Sequence, residues 1–233
     1  MMGEYYDLHI HSCLSPCASD DMTPSNIAGM ASIKGLSLIA LTDHNSGRNL
    51  RPTAKAAAEF GIQFVPGIEV TTAEEVHVLT YFMETDTAVA FGDMLYDSLP
   101  DIANRPEIFG RQIVMDENDQ CAYELRKLLL QATPYSIDKV VRLARASGGC
   151  AVPAHVNRSS FSVFSNLGFM PKGLFGAAEV SPGIPCPPLS PGVFELHSSD
   201  AHNLGDISEP ENRLEIIHNA PELVNFINSI STL

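Results

Sequence analysis

Short apolar segments rich in β-branched residues alternate with helical stretches along this chain of 233 residues. Seven of them are predicted as strands, at residues 5–11, 36–42, 63–69, 76–82, 150–155, 177–181 and 193–199. Helices are predicted from Thr23-Pro24 to Gly35, over 51–60, from Ser136 to Gly148 and over 221–230. The alternation predicts an α/β architecture with a mostly parallel sheet.

Two regions interrupt the alternation. The six residues between Glu69 and Val76 are too few for a crossover helix, so a hairpin is predicted there. Residues 85–135 contain three prolines and an acidic turn, and they are predicted to form an insertion with one or two helices, one of them over 123–131. We expect residues 1–233 to form one domain that carries 85–135 as a lid or flap. This insertion and the loop over 157–173 are expected to shape a pocket.

Histidines and acidic residues stand at the ends of the predicted strands. They are His9, His11, Asp43, His44, Glu69, His77, His155, Asp200 and His202. Parallel strands deliver their carboxyl ends to one face, so we expect these side chains to converge. The hairpin places the start of the fourth strand beside the end of the third, which brings His77 near Glu69.

Each of these positions is weak evidence when taken alone. His9 and His11 project from the same side of a strand, but such a pair is more often solvated or part of a core. Asp43 has the position of a turn or cap residue. Glu69 and His155 follow apolar segments, where a buried polar group needs a partner such as a metal. The joint pattern is what predicts a metal site.

Two other histidines differ from this set. His197 lies inside the last predicted strand and is slightly favoured as a hydrogen-bonding support for a ligand, whereas His218 is predicted at the surface.

Composition narrows the functional classes. The 28 acidic and 14 basic residues give a net charge of −14, which argues against a broad basic face for nucleic acid. No membrane span or secretory signal is apparent, and the five irregularly spaced cysteines favour a reducing, cytoplasmic location.

Six motifs occur in a fixed order along the chain. They are Asp7-Leu8-His9-Ile10-His11-Ser12, Leu41-Thr42-Asp43-His44-Asn45, Gly67-Ile68-Glu69, His77, Pro153-Ala154-His155 and Ser199-Asp200-Ala201-His202. Together, over about residues 5–208, they resemble the PHP (polymerase and histidinol phosphatase) superfamily. The resemblance implies a distorted (β/α)7, TIM-like barrel and a trinuclear metal centre that hydrolyses phosphate esters.

The resemblance also implies a ligand set. It assigns one ion to His9, His11, Glu69 and Asp200; a second to Glu69 as a bridge with His77 and His155; and a third to His44 and His202. The family places an Asp or His shortly after the second His of the first pair, where this chain has Pro16 and Cys17. We expect Asp20 to complete the third site, with Asp21 and Cys17 as alternatives. The mixture of imidazole and carboxylate suits two or three divalent ions of zinc, manganese or iron.

The implied activity is hydrolysis of a small phosphomonoester by water that the metal ions activate. Glu69, Asp200, Asp43 and Arg158 are the expected catalytic residues. Asp43 would orient His44 or another imidazole, and Arg158 would clamp a phosphate oxygen, with Lys172 a weaker candidate. No membrane and no extended nucleic acid is expected as a partner, and the oligomeric state is open. The alternatives are a phosphodiesterase or nuclease acting on nucleotides or short oligonucleotides, a silent metal-binding module, and a hydrolase of carbon–nitrogen bonds.

Overall fold

The structure, a computed structural model, describes residues 3–230. The strands are β1 (Glu4–Ile10), β2 (Leu38–Leu41), β3 (Gln63–Thr71), β4 (His77–Phe82), β5 (Ile113–Met115), β6 (Cys121–Glu124), β7 (Gly149–Pro153), β8 (Ala177–Glu179), β9 (Phe194–Leu196) and β10 (Arg213–Leu214). The helices are α1 (Pro24–Ile33), α2 (Leu50–Glu59), α3 (Thr85–Ser98), α4 (Pro106–Phe109), α5 (Ile137–Ala146), α6 (Val163–Leu167) and α7 (Ala220–Ile230). A 3₁₀ turn covers Leu204–Asp206.

Six strands form the main sheet in the order β10-β1-β2-β3-β4-β7. β1, β2 and β3 run parallel, whereas β4 pairs antiparallel with both β3 and β7. The predicted hairpin between β3 and β4 is therefore confirmed. β2 and β7 are buried along their whole length, as expected for strands covered on both faces.

Individual backbone contacts continue the sheet from β7 round to β1. The N–H of Val156, just after β7, donates to the carbonyl of Glu179 in β8, and β8 pairs in parallel with β9. Ala201, beyond β9, then forms a parallel bridge with Ile10 of β1. The sheet is therefore curled, and the predicted α/β fold is confirmed. The predicted count of seven βα units is not confirmed, because β3 and β4 form a hairpin and no helix separates β8 from β9.

Alternate residues of the strands enter two separate hydrophobic clusters. In β2, Ile39 and Leu41 pack with residues of α1, α2, α3 and α5, while Leu38 and Ala40 pack on the other face with α7. This is the period of two that a strand buried on both faces requires.

Within residues 3–230, no helix is long and apolar enough to cross a membrane.

Local capping explains where the helices begin. The Thr23 side chain accepts a hydrogen bond from the Asn26 N–H, and Pro24 occupies the first turn of α1. The Ser136 side chain accepts from the Lys139 N–H in the same way at the start of α5. Gly35, with φ of 77°, follows the end of α1, a conformation that glycine adopts without strain.

The insertion differs from its prediction in one element. It contains α3, α4 and the antiparallel hairpin β5–β6, and the helix predicted over 123–131 is wrong. The Gln112 side-chain amide donates to the carbonyls of Leu125 and Lys127, and its oxygen accepts from the Leu129 N–H. These contacts satisfy backbone groups that a helix would otherwise have paired, while Leu125 and Leu129 are buried beneath the loop.

Candidate metal centre

Of the nine side chains predicted to converge, all but Asp43 meet at one opening of the curled sheet. Three groups of ligand atoms, each within 4.8 Å of one another, lie there: His9, His11, Glu69 and Asp200; His44, Glu69 and His77; and His11, His44 and His202. His155 adjoins them, with Nε2 at 3.2 Å from Glu69 Oε1. Ligand atoms spaced in this way match the separations around a shared metal ion.

Glu69 is at the centre of this arrangement. Its two carboxylate oxygens lie 2.9–3.4 Å from ring nitrogens of five histidines: His9, His11, His44, His77 and His155. Burial by itself would raise the pKa of Glu69, but the charges of the surrounding imidazoles outweigh it and hold that pKa well below the usual value. The carboxylate is therefore ionised and lies within reach of several ring nitrogens at once.

Several of these polar atoms are buried without a hydrogen-bond partner among the described residues. They are Glu69 Oε2, Asp200 Oδ1, His44 Nδ1 and His155 Nδ1. A buried polar atom left unpaired costs free energy unless something else satisfies it. Carboxylate oxygens and imidazole nitrogens are ligands that zinc, manganese and iron accept. The residues present thus fit divalent metal ions.

The orientation of His9 is fixed by a residue that the sequence analysis did not single out. Glu179, at the end of β8, accepts a hydrogen bond from His9 Nδ1 at 2.9 Å and another from the His155 N–H at 2.8 Å. Since Nδ1 carries the proton, the lone pair of His9 Nε2 faces Glu69 and Asp200. The signal available in the sequence was a lone carboxylate at the end of an apolar strand, as for Glu69.

Asp43 acts on the centre through a serine. Its carboxylate accepts hydrogen bonds from Ser12 and from Ser15 Oγ, the latter at 2.7 Å. Ser15 Oγ in turn accepts from His11 Nδ1 at 2.9 Å, which leaves His11 Nε2 to face the carboxylates. Asp43 therefore contacts no ring directly, and the imidazole that it reaches through Ser15 is that of His11 rather than His44.

Asp200 is shared between the histidine pair and an arginine. Asp200 Oδ1 lies 3.1 Å from His11 Nε2 and 3.2 Å from His9 Nε2, while Oδ2 accepts from Arg158. Burial would raise the pKa of Asp200, but the neighbouring imidazoles of His9 and His11 lower it. Both Asp200 and His155 have positive φ, a strained conformation for residues with a side chain, and such strain is concentrated at functional sites.

The structure does not bring Asp20 into the centre. Its half-exposed carboxylate pairs with Arg111 of the insertion, and neither Asp20 nor Asp21 belongs to a ligand-atom group within residues 3–230. Cys17 is the residue of this loop that reaches the centre, with Sγ at 3.2 Å from His202 Nε2. The expected position of Asp20 is therefore corrected: the loop turns so that its side chain faces the insertion.

The remaining residues named from the sequence lie outside the three ligand groups. His197 Nδ1 donates to the carbonyl of Val180, next to Glu179 in the chain. His218 is partly exposed and pairs with Glu4. Lys172 lines separate surface depressions and does not line the cavity at the centre.

A cavity of about 320 Å³ lies over the centre. Besides the ligand residues, its wall contains Cys17, Leu130, Arg158, Ser160 and Phe161. Leu130 comes from the insertion, and Phe161, from the loop after β7, stacks on the His77 ring with 4.7 Å between centroids. The cavity thus joins a polar floor of ligand residues to walls that include two apolar side chains.

Comparison with known families agrees with this geometry. Residues 7–232 match the family model of the PHP domain, so the chain belongs to the PHP family, and the family predicted from the motifs is confirmed. The 3',5'-nucleoside bisphosphate phosphatase of Chromobacterium violaceum is 38% identical over 73 residues, which are 31% of this chain. That segment spans only 25% of the length of this curated relative.

Two solved structures share the fold over most of the chain. A protein assigned as a metal-dependent phosphoesterase, from Bifidobacterium adolescentis, superposes with a TM-score of 0.62 at 17% identity, covering 91% of this chain and 92% of its own. A lesion-specific endonuclease from Pyrococcus furiosus superposes with a TM-score of 0.59 at 18% identity, covering 88% of this chain and 49% of its own. At these identities the likeness establishes the fold.

Proposed function

We propose that this protein is a metal-dependent phosphoesterase that hydrolyses a small phosphomonoester. The observation that carries the proposal is the convergence of seven side chains from distant parts of the chain around Glu69. With Glu69 the set comprises six imidazoles and two ionised carboxylates with buried oxygen atoms that lack hydrogen-bond partners among the described residues. A catalytic centre for metal-assisted hydrolysis needs such a set of preorganised ligands.

The ligand roles are those that the family resemblance implies, and the ligand-atom groups of the structure contain the same residues, with His44 beside Glu69 and His77, and with His11 beside His44 and His202. His9, His11, Glu69 and Asp200 would hold one ion, and Glu69 would share a second with His77 and His155. His44 and His202 would hold a third. Zinc, manganese or iron at these positions would supply a water-derived nucleophile near neutral pH and positive charge for the phosphoryl oxygens.

The chain's own residues supply orientation and substrate binding. Glu179 and Ser15 each engage the Nδ1 of a histidine, so that the Nε2 lone pairs of His9 and His11 stay directed at the centre. Arg158 is the one arginine or lysine among the cavity-lining residues in the described part of the chain. Its guanidinium holds one oxygen of Asp200, and its planar fork also suits a phosphate oxygen of the substrate.

The cavity favours a small substrate. About 320 Å³ is near the lower end of the range of small-molecule pockets, roughly 300–1,000 Å³. Leu130 and Phe161 offer apolar contacts to the part of the substrate that leaves with the ester oxygen. The net charge of −14 disfavours a long polyanion, which needs an extended basic surface.

Phe161 supports a second candidate, hydrolysis of a phosphodiester in a nucleotide or short oligonucleotide. Its ring is 44% exposed at the cavity wall, and an exposed aromatic ring can stack a nucleobase. The C. violaceum relative and the P. furiosus structural neighbour are described as acting on a nucleotide and on nucleic acid, respectively. The two candidates differ in whether one or two ester bonds link the phosphorus to carbon-bearing groups.

The test combines metal analysis with matched substrates. The purified protein is analysed for metals by mass spectrometry and assayed on p-nitrophenyl phosphate and bis-p-nitrophenyl phosphate, before and after dialysis against a chelator. We expect bound divalent metal, faster turnover of the monoester, and loss of turnover on metal removal with recovery on reloading. Preference for the diester would favour the second candidate. Full metal content with no turnover of either ester, or turnover of a cyclic amide alone, would contradict the proposal.

A further inference from the structure

Cys17 occupies the edge of the centre where the sequence analysis expected Asp20. Its Sγ lies 3.2 Å from His202 Nε2, and His44 lines the cavity beside it. The thiol is exposed and lines the same cavity as the ligand residues. The sulfur atom is thus in contact with the His202 imidazole at this edge, and His44, which belongs to one ligand-atom group with His202, lines the same cavity.

The local backbone holds the cysteine in this place. The Ala18 N–H donates to the carbonyl of Ser15, and the Ser19 N–H donates to the carbonyl of His202, each at 2.9 Å. Because Ser15 is itself bonded to Asp43, the turn that carries Cys17 is tied to the floor of the centre and to the His202 loop. The proximity of sulfur and imidazole is therefore built into the loop.

The two histidines have lone pairs available on this side. His202 Nδ1 donates to the carbonyl of Asp200 at 2.7 Å, so Nε2 carries the lone pair that faces the sulfur. His44 is 5% exposed, and its Nδ1 lies 3.0 Å from Glu69 Oε2, so Nε2 is the ring nitrogen left for this side. One buried and one partly exposed imidazole next to a thiol form a donor set suited to a metal.

We propose that the Cys17 thiolate joins His44 and His202 as the protein ligands of the outermost metal site and makes this site selective for zinc over manganese. Ligand atoms on one tetrahedral zinc lie roughly 3.3–3.6 Å apart, so the 3.2 Å contact needs little change. A thiolate is a soft ligand that favours zinc, whereas manganese favours oxygen ligands. Three protein ligands also leave a fourth position for substrate.

This inference rests on the proposed metal centre. Its test is chosen so that a wrong role for Cys17 can be told apart from a wrong proposal of the metal centre itself. The metal-free protein is reloaded with Co²⁺, whose bond to a thiolate gives a charge-transfer band in the near ultraviolet that imidazole and carboxylate ligands do not give. The band is measured for the parent, Cys17→Ser, Cys17→Asp and the control Cys121→Ser. Cys121 is the control because it is exposed on β6 and is not among the residues that line the cavity.

We expect the parent and Cys121→Ser to show the band and both Cys17 variants to lack it. Reloaded with zinc, Cys17→Ser should lose one metal equivalent per chain, whereas Cys17→Asp should retain it and accept manganese in its place. Circular dichroism confirms that each variant is folded. A band that persists in folded Cys17→Ser, or a parent that binds metal and turns over substrate without the band, would overturn this inference and leave the proposed function standing. A parent that binds no metal would overturn both.

Discussion

The inner and outer parts of the metal centre are built differently. The inner part is formed by His9 on β1, His11 just after β1 and Glu69 on β3, with every side chain at most 1% exposed. The outer part is formed by Cys17, His202 and Arg158, which lie on loops and are partly or fully exposed. The difference shows that the sheet fixes one region of the site and that loop contacts fix the other.

The two regions also differ in how each side chain is held. In the inner part, Glu179 and Ser15 hold the far nitrogens of the two histidines, and both partners are buried. In the outer part, the backbone carbonyl of Asp200 holds His202, and a partly buried ion pair with Asp200 holds Arg158. Preorganised buried ligands keep their geometry before metal binds, whereas side chains on loops can adapt more to the substrate, even where, as for Cys17, the loop backbone is held by hydrogen bonds. Substitutions in the inner part should therefore have the larger effects.

The largest effect is expected for Glu69→Ala. The substitution removes the carboxylate that faces five imidazoles and that two of the proposed metal positions share. Metal ions supply several kcal/mol of transition-state stabilisation, so kcat/KM should fall by about a thousandfold or more. Metal analysis should show the loss of about two equivalents per chain, which is the quantity to measure beside activity.

A matched control distinguishes this effect from a general loss of charge. Glu107→Ala removes an exposed carboxylate on α4, far from any ligand group in residues 3–230. We expect it to keep the parent's metal content and rate. If Glu69→Ala retained the full metal content, the bridging role would be wrong and the contrast between inner and outer regions would disappear.

The strand ends were accessible to prediction because they depend on local signals. Apolar runs bounded by turns located the seven strands, and topology then required Glu69 and His77 to meet across the β3–β4 hairpin. Side-chain direction in loops was not accessible in this way. Asp20 faces the insertion because Arg111 and β6 lie there, and that contact depends on the tertiary packing of residues far apart in the chain.

The insertion and Glu179 illustrate two further limits. The leucines over 125–129 have spacing typical of a helix, yet the side chain of Gln112 binds the backbone there in a non-helical form. Glu179 carries a local signal, a carboxylate at the end of an apolar strand, but no sequence rule states that it will meet His9 across the centre. In the insertion, the tertiary contact with Gln112 outweighed the local helical pattern. For Glu179, the tertiary contact with His9 gives the residue its role.

A smaller effect is expected for Glu179→Gln, which sharpens the comparison within the inner part. The amide can still accept from the His155 N–H but no longer gives His9 Nδ1 a charged acceptor. Loss of such a support typically costs about 10–100-fold in metal affinity or activity. Competition with a metal indicator should report the affinity. Glu195→Gln, exposed on β9, is the control. An unchanged affinity in Glu179→Gln would mean that His9 is oriented by its strand alone.

Arg158→Ala probes the outer part, where binding of substrate rather than metal should suffer. The guanidinium contacts Asp200 and Ser181 and lines the cavity. We expect KM for the phosphomonoester to rise about tenfold, as for the loss of one charge-assisted contact to phosphate, with metal content unchanged. Arg142→Ala, exposed on α5, is the control for lost charge. A loss of metal from Arg158→Ala would instead show that this arginine supports the inner part by holding Asp200.

The smallest effect is expected for Asp20→Asn, which tests whether Asp20 lies outside the outer part of the centre. Asp20 is half exposed and pairs with Arg111, and exposed ion pairs contribute little to stability. The melting temperature should stay within about 2 °C of the parent. Metal content and kcat/KM should also be unchanged, whereas Cys17→Ser measured beside it loses one zinc. If Asp20→Asn lost a metal equivalent and Cys17→Ser did not, the loop would present its carboxylate to the ion in solution, and the outer site would be an oxygen site.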